Sequence, residues 1–76
     1  MTNEQLNEYE RLDTALQSAH DKLTAAVINI ASMTVKPGES VMMYCRRLDK
    51  AVKAKNEYHR DLETAKAAKM AFLRAV

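Results

Sequence analysis

Between Thr2 and about Thr34, apolar residues recur at Tyr9, Leu12, Leu16, Ala19, Leu23, Ala26, Ile30 and Met33, in alternating steps of three and four. This is a heptad seam, widened on one side by Leu6 and Val27. No two-residue alternation competes with it, and no glycine or proline interrupts it. The segment therefore predicts a single helix approaching ~50 Å in length at about 1.5 Å per residue. Thr2, followed three positions later by Gln5, has the form of a capping box.

Val35-Lys36-Pro37-Gly38-Glu39-Ser40 is the only punctuation in the chain. Proline disfavours helical geometry at Lys36 and glycine relaxes the backbone beside it, so the chain is expected to reverse here, with Pro37 opening the next helix and Glu39 set favourably against its dipole. Tyr44, Ala51, Tyr58, Ala65 and Phe72 then fall seven residues apart, with Val41, Leu48, Leu62 and Val76 in most companion positions and Cys45, Val52 and Leu73 on a flanking line. Lys55 and Lys69 stand where a strict seam wants aliphatics, which predicts a less evenly buried helix with fraying or a bend near Lys55 to Glu57. The expected fold is all-α, a single-domain antiparallel hairpin of helices at about 3–34 and 38–75, its turn at 35–40.

Folding back at Pro37 sets Ile30 and Met33 near Val41 and Tyr44, and Tyr9 and Leu12 near Leu62 and Ala65. Alanines at 19, 26, 51 and 65 allow the helices to approach to about 8 Å. In this register Asn3 lies opposite about Lys69, so Met70 to Val76 would project as an apolar tip carrying Met70, Phe72, Leu73 and Val76. His59 would lie opposite about Asp13 as a surface pair.

Composition sharpens the picture. The chain has 76 residues, 47% of them apolar, with one glycine, one proline and no tryptophan, too few turn formers for a β-sandwich, barrel or Rossmann unit. The lone Cys45 excludes an internal disulfide and suits a reducing cytoplasm. Met1 to Asp13 is polar and acidic, unlike a secretory signal, and no apolar run approaches the ~20 residues of a membrane span. Residues 1–35 carry five acids and two bases, and residues 36–76 carry ten bases and five acids. The opposite signs favour pairing of the two helices, modestly for exposed charges, and could equally order two chains head to tail.

Two helices touch along one line, so each seam residue is covered from one side only. A homo-oligomer, most simply a dimeric four-helix bundle, or an obligate complex with another protein is therefore expected.

Catalytic chemistry finds little support. His20, His59 and Cys45 share no ligand spacing, the acids of helix 2 have no inward counterparts on helix 1, and there is no glycine-rich phosphate loop. No enzyme activity, metal or cofactor is expected. Arg46, Lys50 and Lys53 share a helical face, with Arg60 two turns on and Arg47 beside them, a stripe able to meet phosphates. Against this stand the net charge of +2, the acidic companion helix, and Asp49 and Glu57 within the stripe. Met33, Met42 and Met43 fit packing of the closed end, with one of the adjacent pair near the surface. Glu57, Asp61 and Glu63 argue against binding to anionic lipid.

The reading that follows is a non-catalytic helical interaction protein, such as an adaptor, chaperone or inhibitor that blocks or sequesters a partner. Tyr44, Tyr58, Met70, Phe72, Leu73 and Val76 are its apolar anchors, and Arg46, Arg47, Lys50, Lys53 and Arg60 its steering charges. The alternative is a nucleic-acid-binding accessory protein using the basic stripe. Secretion chaperones, plasmid regulators and phage-encoded inhibitors all include long helical hairpins, so shape alone does not choose among these roles.

Overall fold

The computed structural model describes all 76 residues. Two helices, α1 (Asn3–Ala31) and α2 (Val41–Ala75), pack antiparallel into an all-α hairpin, a rod with principal extents of 59 × 15 × 13 Å. The capping box forms as the sequence predicts: Thr2 Oγ1 accepts from the Gln5 amide at 3.1 Å while Gln5 Oε1 accepts from the Thr2 amide at 2.8 Å, satisfying two donors the first turn would otherwise leave free.

The turn is longer than expected. α1 stops at Ala31, where Ser32 caps it by donating its amide to the Ile28 carbonyl at 3.0 Å. α2 starts at Val41, with the Ser40 hydroxyl accepting from the Met43 amide at 3.2 Å. Pro37 is therefore not the first residue of α2. Pro37 and Gly38 are instead the central pair of a β-turn closed by the Glu39 amide on the Lys36 carbonyl at 3.0 Å. Gly38 has φ +78°, the left-handed value that position i+2 of a type II turn requires. Arg47 spans the reversal. Its Nε and Nη2 donate to the two Glu39 carboxylate oxygens at 3.0 and 2.8 Å, and Nη2 also donates to the Thr34 carbonyl at 2.7 Å. Thr34 thus lies level with Arg47, and the segment 32–40 runs beside the first turns of α2.

That geometry changes the register. Tyr9 packs on Phe72, with ring centroids 6.4 Å apart, rather than opposite Ala65. Asp13 meets Lys69 at 2.7 Å, rather than His59. The slip is about one heptad, the amount that keeps the same seam residues inward on both helices. It also removes the projecting tip, because α1 and α2 end nearly level and Phe72 is covered by Tyr9. α2 runs unbroken from Val41 to Ala75, so the fraying expected near Lys55–Glu57 does not occur; Lys55 lies part-buried beside Val27 and Leu23, its aliphatic stem supplying apolar contact.

Candidate interaction surfaces

Burial is slight. Only Leu12, at 8% exposure, and Leu62, at 5%, are buried; the other seam positions remain partly open to solvent. Three surfaces result, one at each end of the rod and one along its side.

At the closed end, Val41 and Met42 are 71% and 65% exposed, and Met43, Val35 and Ile28 are also largely uncovered. Val41 is bare because the loop, not α1, lies beside the first turns of α2. Sequence patterning places Val41 in the seam and the methionines in closed-end packing; the useful signal was the Met42-Met43 adjacency, since neighbouring helical residues cannot face the same way. Met42, Arg46, Lys53 and Arg60 follow one another down the outer side of α2 by helical spacing. Arg46, Lys50 and Arg60 have no ion-pair partner in the hairpin, while Lys53 meets Asp49 at 3.0 Å in the open.

Arg47 is not part of that free stripe. Its guanidinium carbon lies 5.4 Å from the Tyr44 ring centroid, part-covering this predicted anchor, and its charge is matched by Glu39. The bond from Arg47, helped by the Lys36 amide, draws the Glu39 carboxyl from its ordinary 4.5 down to about 2. The same pairing raises the arginine.

Along one side of the rod runs a shallow trough. Leu12, Ala15 and Ala19 of α1 face Tyr58, Ala65 and Ala68 of α2, and past Tyr58 the walls continue through Ala26, Ala51 and Ala54. Methyl side chains on both helices leave the helix cylinders close to the surface, so the large apolar groups in the trough are Leu12 and the half-buried Tyr58, with Arg11 and Lys22 along its α1 side. Lys22 stands on the α1 rim and Asp61 on the α2 rim, both exposed and neither in an ion pair.

At the open end Lys69 sits in the seam yet remains charged. Its Nζ reaches Asp13 at 2.7 Å and lies 5.1 Å from the Tyr9 ring centroid, and Asp13 holds its pKa above the ordinary lysine value. Of the predicted anchors here, Met70, Leu73 and Val76 are about half exposed. Glu8 and Arg11 pair on α1 one turn apart, which lowers the Glu8 carboxyl.

The groups that could carry chemistry are scattered. His59 lies 4.0 Å from Glu63 and His20 lies 3.8 Å from Asp21, all well exposed; Cys45 is free and exposed. No three His, Cys, Asp or Glu side chains converge to hold a metal ion, and no helix is long and apolar enough to cross a membrane. No family model matches the chain, and neither curated proteins nor solved structures give a match.

Proposed function

We propose that this chain is a non-catalytic helical interaction module that binds another protein, as an adaptor, chaperone or inhibitor. The observation that carries the reading is the near-absence of an interior: two buried side chains set against a bare apolar closed end and an open side trough. Large contiguous apolar surface on a small protein marks a place where something docks. The exposed anchors are Met42 and Val41 at one end and Met70, Leu73 and Val76 at the other, with Tyr58 between them. Arg46, Lys50 and Arg60, unmatched within the hairpin, steer a partner with an acidic surface through long-range attraction.

Photo-crosslinking tests this. A benzophenone side chain placed at Met42 or Met70 in the native host should give adducts of discrete mass with a foreign protein, whereas one at the outward Thr24 should not. Absence of foreign adducts at both positions would sink the reading.

The three unmatched cations also support a second reading, in which the outer side of α2 meets nucleic-acid phosphates. Gel-shift titration at two salt concentrations separates the two: phosphate contacts weaken steeply with salt, and Arg46→Ala with Lys50→Ala should abolish them.

A further inference from the structure

We infer that the alanine-lined trough is the contact surface for a second copy of this chain. In the resulting four-helix bundle the two-fold axis runs parallel to the rods, so that α1 of each copy packs on α2 of the other. The inference rests on the reading that the hairpin works in company, and it names the occupant of one of its surfaces.

Three observations converge on this occupant. The first is shape. On the trough side of α1, Ala15, Ser18, Ala19 and Lys22, and after them Lys22, Ala25, Ala26 and Asn29, form two successive shallow holes of the kind a facing side chain fills. Lys22 and Tyr58, Ala26 and Ala54, and Asn29 and Ala51 share the same stretch of trough, so Tyr58 is level with Lys22, where the two holes meet, in its own hairpin. Rotation about an axis parallel to the rods preserves level and exchanges the helices. Each Tyr58 then packs beside the other copy's Lys22, between its two holes, while Ala65 and Ala68 meet Ala15 and Leu12. The surface is thus complementary to itself.

The second is charge. Across the whole chain α1 is acidic and α2 basic, but the trough rims reverse this, with the cation Lys22 on α1 and the anion Asp61 on α2. Neither has an ion-pair partner within the hairpin. The parallel axis sets each Lys22 beside the partner's Asp61, twice per dimer by symmetry. An axis perpendicular to the rods through the middle of the trough would instead bring Asp61 against Asp61, which is unfavourable.

The third is extent. The trough runs from Arg11 to Asn29 on α1 and from Ala51 to Ala68 on α2, about 27 Å of helix at about 1.5 Å per residue, long enough for two pairs of helices to interlock over several turns. Met43 lies three turns before Ala54 on the same side of α2, extending the apolar face toward the closed end.

Sedimentation equilibrium and cysteine pairing test both the copy number and the axis. At micromolar concentration the purified chain should sediment as a dimer. In a Cys45→Ser background, mixing chains carrying Ser18→Cys with chains carrying Thr64→Cys should give a disulfide-linked heterodimer on mild oxidation, because the parallel axis brings these rim positions of separate chains together, whereas the perpendicular axis sets each against its own kind. Lys22→Glu and Asp61→Lys should each weaken the dimer by about tenfold or more, and the two changes in one chain should restore it. Helicity at matched concentration checks that each variant is folded.

A helical monomer at ~50 μM, preferential Ser18→Cys self-linkage, or failure of the double exchange to rescue would each overturn the inference. A monomer that still gives foreign photo-adducts removes the dimer alone; a dimer without foreign adducts removes the proposed function alone.

Discussion

At the closed end a single arginine holds the chain reversal through three hydrogen bonds, whereas the middle of the rod depends on apolar packing around Leu12 and Leu62. The first arrangement is directional and specifies one loop path. The second is nearly indifferent to sliding, because a heptad seam presents the same face every seven residues. The contrast shows where uniqueness originates in a repetitive hairpin: packing supplies attraction, and polar contacts at Arg47 and Asp13 to Lys69 choose among positions that packing alone would accept.

The sharpest way to break the packing side is Leu62→Ala. It should cost about 2–3 kcal/mol, toward the low end for a buried leucine because the surroundings are open enough to collapse, and urea titration followed by circular dichroism measures it. Arg47→Ala should cost less overall but act locally. Hydrogen exchange should accelerate across residues 32–40 and the first turn of α2, while amides near Leu62 keep their protection. Equal acceleration along the whole rod would erase the distinction between the two regions. Gly38→Ala meets no neighbouring atom within 4 Å, so its cost of about 1 kcal/mol should come entirely from the left-handed backbone.

Acid and alkali probe the polar contacts separately. Glu39 has its pKa lowered from 4.5 to about 2, so the stability it contributes is complete above about pH 4.5 and disappears as pH falls through about 2. The paired Glu8 shifts in the same direction. Lys69 is raised above 10.5; its contribution is complete below that value and is lost as pH climbs through the raised one. Urea midpoints measured at pH 7, 4 and 2 should fall in the wild type, with a smaller decline in Glu39→Gln. Asp13→Asn should give the smallest effect of the series, visible as a flatter alkaline limb.

Helices, the cap of α1 and pairing sense were legible in the residues because each has a local signature: the alternating three–four spacing, Thr2 with Gln5, and Pro37-Gly38 as the only breaker. Register was not legible. Tyr9 opposite Ala65 and Tyr9 opposite Phe72 satisfy the same pattern, and the choice is made by Arg47 reaching Glu39 and Thr34, contacts that appear only once the loop path is known. That path also explains why Pro37 does not open α2: Ser40 is the better cap, and the turn leaves Glu39 free to bind Arg47. Among candidate surface residues, the stripe of Arg46, Lys50, Lys53 and Arg60 followed from helical spacing. Bare Val41 did not, since its exposure results from α1 ending at Ala31.

A rod 59 Å long is several times the ~8 Å over which charges are felt in physiological salt. Its two extremities are therefore electrically deaf to one another. Adding or removing charge near Met42 leaves the potential around Met70 untouched, so whatever docks at either pole can be retuned without disturbing its counterpart. Any message between the poles has to travel as mechanical displacement through the stacked turns.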